Sequence, residues 1–388
     1  MNKSAGANAG WRTKRLGEVC EIIMGQSPDG NSYNVTGEGV PLINGPVEFS
    51  QGAFGDTNRS KFTTEPTKLC RKNDLILCVR GSTTGRMNIA GFDACIGRGV
   101  AAIRALEYQP WINHFISSKR DDIHRLGTGA TFPNVSGTML SELMVPLPPL
   151  LEQQRVVGIL DEAFDGIATA KANAEKNLQN SRALFESHLQ FVFTQRGERW
   201  KMERLGALTH LARGHNPPKS KFSREPKPGY VRFYQIRDGG TDDYKVYVPD
   251  APQLHKMKVD DIMMVAYRHI GRAFRGVEGA FNVALCKISN ARRDLLDDDF
   301  LFHIIPSRYV KGELLKRSER SLIPSMSIEH LRELLIPLPP LREQHRLVEI
   351  IKSLSTETQR LQSVYQQKLA ALDGLKKSLL HQAFTGAL

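Results

Sequence analysis

Five loops of this chain carry side chains whose types suit one kind of chemistry. They hold Arg59 and Lys61; Arg80, Ser82, Thr83, Thr84 and Arg86; Lys219, Lys221 and Arg224; Gln235 and Arg237; and Tyr267, Arg268, His269 and Arg272. A guanidinium forks onto the major-groove edge of guanine, a carboxamide onto adenine, and hydroxyls onto either, so such a set is equipped to read base pairs. One basic loop alone is ordinary solvated surface. The argument gains weight because Arg80 to Arg86 and Tyr267 to Arg272 follow matching strand-like runs, Asp74 to Val79 and Asp261 to Ala266, and share a Gly-Arg pair at Gly85-Arg86 and Gly271-Arg272.

Bond-making chemistry finds no support. Asn216-Pro-Pro-Lys219 begins like the tetrad of amino-methyltransferases but ends in lysine, which cannot stack on a flipped base. Gly127-Thr-Gly129 lacks the third glycine of a dinucleotide loop, and no phosphate-binding GxxxxGK[ST] occurs. Glu225-Pro-Lys227 resembles part of a nuclease site, yet the candidate aspartate, Asp250, follows it instead of preceding it. The eleven histidines contain no HExxH and no convincing ligand pair. The sequence therefore predicts neither a catalytic residue nor a metal site.

What must position the loops is a frame written twice. ELMVPLPPLLEQQR at Glu142 to Arg155 returns as ELLIPLPPLREQHR at Glu333 to Arg346, ten of fourteen positions identical at an offset of 191. Trp11 to Gly17 returns as Trp200 to Gly206 at an offset of 189, and Phe193-Thr194 as Phe384-Thr385 at 191. Self-similarity at a long fixed period defines architecture before any local reading. The middles of the two copies, by contrast, align poorly.

Charge separates frame from content. Of 388 residues, 24% are charged and 40% hydrophobic, an ordinary globular balance, and the net charge is +12. Residues 1–140 hold 16 basic against 12 acidic side chains and 200–332 hold 24 against 16, whereas 141–199 hold 6 against 8 and 333–388 hold 7 against 5. The surplus lies in the variable parts, which points to a polyanion as their ligand. Cys20, Cys70, Cys78, Cys95 and Cys286 form no CxxC pair and are expected as buried free thiols in a reducing cytoplasm. No apolar run reaches the roughly 18 residues of a membrane span, and residues 1–10 read as a flexible tail.

After each proline motif runs an apolar seam with steps of three and four. The first is Val156, Leu160, Phe164, Ile167, Ala170, Ala174, Leu178, Ser181, Phe185, Leu189 and Val192. The second is Leu347, Ile351, Leu354, Thr358, Leu361, Tyr365, Leu369, Leu372, Leu375, Leu379 and Gln382 or Ala383. Each predicts a helix about 65 Å long with one stripe to bury. The only stripe of equal length is the other copy, and an antiparallel coiled coil is the favoured pairing. The prolines Pro146, Pro148, Pro149 and Pro337, Pro339, Pro340, with Glu152, Gln153, Glu343 and Gln344, form a stiff joint from domain to helix, since proline excludes helix from the residue before it. The expected class is α+β: two mixed α/β domains, 11–149 and 197–340, and two long helices, 150–196 and 341–388.

The paired PLPPL-x-EQ segments, the WxxxxLG starts, the two long helices and the divergent middles resemble the specificity subunit of type I restriction–modification systems, over almost the whole chain. The resemblance implies that each variable segment is a target-recognition domain for half of a bipartite asymmetric DNA site. It also implies partners: two methyltransferase subunits using S-adenosylmethionine, and restriction subunits using ATP and magnesium, with no cofactor in this chain. A non-catalytic coiled-coil adaptor is the competing reading.

Overall fold

A computed structural model describes residues 10–127, 134–194, 200–238, 243–267, 269–318 and 326–388. The chain divides into two compact units, residues 1–174 with 367–388 and residues 175–366, so the division falls within both long helices. The helices span Leu150–Thr194 and Leu341–Thr385.

Within the first unit, the two repeated motifs of one copy turn out to be each other's partners. Arg12–Arg15, from the WxxxxLG start, pairs antiparallel with Met144–Leu147, from the proline motif, with Thr13 opposite Pro146. The second unit repeats this with Lys201–Arg204 against Leu335–Leu338, Met202 opposite Pro337. Both ribbons have only two strands, so a proline can turn its missing N–H outward. The rigid segment expected from the prolines is thus a strand.

The joint to the helix is completed by glutamine. The Pro149 carbonyl accepts from the amides of Glu152 and Gln153 at 2.9 and 3.1 Å, starting the first helix. Gln153 is buried and its Nε2 donates to the Pro148 carbonyl at 2.9 Å. Gln344 is wholly buried and does more: Nε2 donates to Pro339 and Leu295 carbonyls at 2.7 and 2.8 Å, while Oε1 accepts from the Asp297 amide at 2.8 Å. The neighbouring Glu152 instead forks onto Arg155, both contacts 2.7 Å, at the surface. Glu343 is half-buried beside it in sequence, its amide donating to the Pro340 carbonyl at 2.8 Å.

The middles that align poorly as sequence share one topology. In the first unit a four-stranded antiparallel sheet runs Cys20–Met24, Val100–Ala105, Leu75–Cys78, Met87–Ile89; in the second it runs Thr209–Arg213, Leu285–Asn290, Ile262–Val265, Ala273–Arg275. A second sheet in each unit contains one parallel pair, Val40–Ile43 with Ala94–Ile96 and Tyr230–Tyr234 with Gly279–Phe281. It has five strands in the first unit; in the second, four described strands join as one sheet. All five cysteines are buried and free; burial pushes Cys20 and Cys70 up to about 12.

Each unit holds parts of both long helices in its core. Val156, Val157 and Leu160 from the start of the first helix join Leu380 and Ala383 from the end of the second around Trp111 and Phe115. In the second unit, Val192 and Phe193 join Val348 and Ile351 around Phe300 and Leu301. Start against end in both units makes the pair antiparallel, as expected. His114 adds a polar tie, its Nε2 lying 2.8 Å from Asp161 on the first helix, while burial holds its imidazole below the usual histidine range.

One part of the expected seam is corrected. Leu361 and Leu375 are 39% and 48% exposed, while Gln362 and Lys376, one residue later, are half-buried. The inward positions keep the 3.5-residue rhythm through Thr358, Gln362, Tyr365, Leu369, Leu372, Lys376 and Leu379, so a leucine one position ahead of that rhythm stays exposed. The first seam is buried or half-buried at every position named from Val156 to Val192.

Because Gln344 serves three backbone groups and Gln153 one, Gln344→Ala should lower unfolding stability by about 1–3 kcal/mol and Gln153→Ala by less. Urea unfolding of the full chain checks the order; a Gln153 variant that is the weaker of the two contradicts this account of the joint.

Candidate nucleic-acid interface

The matched loops are the turns of equivalent hairpins. After Leu75–Cys78, the Cys78 amide donates to the Arg86 carbonyl at 2.7 Å and the Gly85 amide to the Cys78 carbonyl at 2.9 Å. After Ile262–Val265, the Val265 amide donates to Arg272 at 2.8 Å and the Gly271 amide to Val265 at 3.2 Å. Gly85 and Gly271 both have φ +86°, left-handed backbone that favours glycine, and each is followed by an exposed arginine. The next segment is fixed alike, by Val135 donating to Val79 and Met326 to Ala266, at 2.9 and 3.0 Å. Two unlike sequences thereby present Arg86 and Arg272 from one backbone frame.

A second equivalence lies at the ends of the parallel strands. The Asn44 and Gly45 amides donate to Glu48 Oε2 at 3.2 and 3.1 Å, and the Gln235 amide donates to Asp238 Oδ2 at 2.7 Å. The Gly97 amide donates to Ile43 at 2.9 Å and that of Asn282 to Tyr234 at 3.0 Å, so Asn44 is the counterpart of Gln235. Asn44 is absent from the sequence-based set. The signal was present, since 44 and 235 differ by the 191 of the proline motif, but short strands in divergent middles hid it.

The other expected residues divide by what holds them. Arg59 stacks on Phe92 at 4.6 Å, Lys61 lies 5.6 Å from the Tyr33 ring, and Arg237 5.5 Å from that of Tyr244. Stacking limits the freedom of a long cation and leaves its N–H edge available. Arg80, Ser82, Lys219, Lys221, Arg224 and His269 are exposed, and Tyr267 is half-buried. Thr84 turns inward, 3% exposed, donating to the Gly81 carbonyl at 2.8 Å, and Thr83 is half-buried. Gln235 is half-buried, and its Nε2 has no partner among the described residues. Arg268 lies outside the described residues.

Several cations are structural. Arg104 holds buried Asp74 through two contacts of 2.9 and 2.7 Å and reaches Glu21 at 2.6 Å, which raises its pKa. Arg213 donates to the carbonyls of Val283, at 2.8 Å, and Met326. Among the described residues no group of three His, Cys, Asp or Glu could hold a metal, and no helix is long and apolar enough to cross a membrane.

The profile of the type I restriction modification DNA specificity domain matches residues 8–179 and 197–369. The putative type I restriction enzyme MjaX specificity subunit of Methanocaldococcus jannaschii is 33% identical over 177 residues, 44% of this chain and 40% of that protein. The chain thus spans less than half of that relative, but its match to the MjaVIII specificity subunit of the same organism, 22% identical, covers 97% of this chain and 93% of that protein. A chain from a structure of complex assembly and conformational transition in the type I system is 20% identical, with TM-score 0.82 over 98% of this chain and 99% of that one. The HsdS subunit of Thermoanaerobacter tengcongensis gives TM-score 0.61, with 98% of each chain covered and 20% identity.

A Cβ at position 85 would lie 3.1 Å from the Arg120 carbonyl oxygen, whereas at 271 the nearest atom is Lys311 Cβ at 3.5 Å. Both Gly→Ala substitutions force left-handed backbone at about 1–2 kcal/mol, and Gly85→Ala should cost more. Thermal unfolding of the two variants checks this; equal shifts would show that the neighbouring backbone yields freely.

Proposed function

This chain belongs to the type I restriction modification DNA specificity domain family, with two copies of that domain, and we propose how it selects DNA. Each copy reads one half of a bipartite, asymmetric duplex site, and the two long helices set the spacing between halves. The observation that carries this reading is the pair of equivalent hairpins, alike in backbone and unlike in side chains. A shared frame with exchangeable contents is what reading two different sequences requires. The basic surplus of the variable segments supports it, because phosphate contacts position a protein on DNA while base contacts specify.

The chain supplies the address and no chemistry. Two methyltransferase subunits, carrying S-adenosylmethionine, would dock on the helices, and restriction subunits using ATP and magnesium would join for cleavage, all in the cytoplasm. Linked half-sites of modest individual affinity then give tight joint binding, provided the linker matches their separation. A salt-dependent gel shift on genomic fragments separates this from a protein-binding adaptor, which should show no sequence-specific shift.

Replacing Arg272 with Ala should relax or weaken the half-site read by residues 200–332, by about 1–3 kcal/mol, and leave the other half intact. Single-molecule sequencing of methylated DNA provides the readout; equal losses at both halves would point to phosphate contact or misfolding. Adding one heptad after residue 174 and one after residue 366 keeps the antiparallel register. It should lengthen the preferred spacer by about three base pairs, from about 10.5 Å of helix against 3.4 Å per base pair. An unchanged spacer in the same readout would sink the ruler idea.

A further inference from the structure

Within the first unit, a cleft of about 780 Å³ opens between the second long helix, the segment 115–121 and the Gly85–Arg86 turn. That volume lies within the range of sites that enclose ligands. Its rim carries Arg86, Arg120, Lys376 and His381, and none of these side chains is ion-paired to a carboxylate among the described residues. The acidic groups nearby are already engaged: Asp373 with Lys171, Asp121 with Lys377 at 3.0 Å and Asp122 with Lys119 at 3.4 Å. Lys376 lies half-buried, 4.7 Å from the Phe164 ring, and loss of solvent together with Lys171 and Arg120 lowers its pKa. The floor is apolar, with Met144 53% exposed beside Pro146 and Leu380, together with half-buried Phe384 and buried Phe115.

In the second unit Arg272 and Lys311 stand where Arg86 and Arg120 do, but the cations of the long helices are not repeated. Positions 376, 377 and 171 correspond, through the offset of 191, to Phe185, Glu186 and Gln362, and Glu186 pairs with Arg308 at 3.3 Å, reversing the polarity of Lys377 with Asp121. The repeat does not require the cationic cleft, so it is an added feature of one copy.

We propose that this cleft binds an acidic peptide segment of another polypeptide, with carboxylates on Arg120 and Lys376 and an aliphatic side chain on the Met144 floor. The carboxylates are placed on Arg120 and Lys376, which lie on helices and outside the hairpin turns assigned to DNA. Single-stranded nucleic acid is disfavoured because base binding relies on exposed aromatic platforms, whereas Phe115 is buried and Phe384 is half-buried against Trp111 and Phe115. Carboxylates would relieve the crowding of Lys376 with Arg120 and Lys171. The inference does not depend on DNA reading.

The test uses the full chain and a fluorescein-labelled nonapeptide of glutamates around two central leucines, followed by anisotropy. Three companion probes are a peptide with serines for the leucines, a single-stranded oligonucleotide of equal charge, and the leucine peptide on a Lys311→Glu variant. The expected result is binding at least tenfold tighter for the leucine than for the serine peptide. Arg120→Gln/Lys376→Gln, which removes charge while keeping bulk, should lose at least tenfold at an unchanged melting temperature, and Lys311→Glu should bind as the parent does. Arg120→Ala provides a second measurement if the double variant melts early. No peptide binding, equal binding by the neutralised variant, equal loss in Lys311→Glu, or tighter binding of the oligonucleotide would each overturn the proposal.

Discussion

The architecture depends on where the last aromatic of each copy packs. Phe384 ends the second copy yet packs in the first unit, 4.7 Å from Trp111 and 5.6 Å from Phe115. Phe193 ends the first copy yet packs in the second unit, 5.7 Å from Phe300. Trp111 and Phe300 differ by the 189 of the WxxxxLG motif, so the two contacts are the same contact made twice. Each copy thus completes the core of the other. A long helix with a single apolar stripe cannot be stable alone, and this exchange commits both helices to antiparallel pairing.

The joint follows from the same constraint. The proline strand and its buried glutamine fix how each helix starts, through hydrogen bonds to the Pro148 and Pro339 carbonyls. Trp111 ties these features together, donating to the Pro146 carbonyl at 2.9 Å while packing edge-on to Trp11 at 6.0 Å. Helix, joint and domain therefore share one core, and the repeated motifs are repeated because they are the parts of that core. The hairpins stand outside it. Their backbones are fixed by Gly85 and Gly271 and by ladder hydrogen bonds, which leave Arg86 and Arg272 exposed. A frame fixed largely by backbone hydrogen bonds lets much of the sequence of its turns diverge.

Much of the frame was legible because long helices carry a strong periodic signal, and Val156 to Val192 face inward as their spacing requires. Leu361 and Leu375 misled for the opposite reason: residue type was followed where the 3.5-residue rhythm falls on Gln362 and Lys376. Among the candidate contact residues, the equivalent placement of Arg86 and Arg272 was legible through the Gly-Arg pair. Thr84 was not, since a hydroxyl that satisfies a carbonyl in its own turn looks like a free one in sequence. Asn44 was missed because strands such as Val40–Ile43 are too short to show a period.

By itself the sequence determined the duplication, the two helices, the joint and the segregation of charge, because each is a local or periodic property of the chain. Tertiary structure alone decided that the WxxxxLG and proline motifs pair as strands and that Phe193 and Phe384 exchange places. It also decided that the unlike middles share one strand order, and that Lys376, Arg120 and Arg86 line one cleft. These are contacts between residues far apart in the chain, and such contacts are chosen by which surfaces exclude water together, a quantity that no local pattern records.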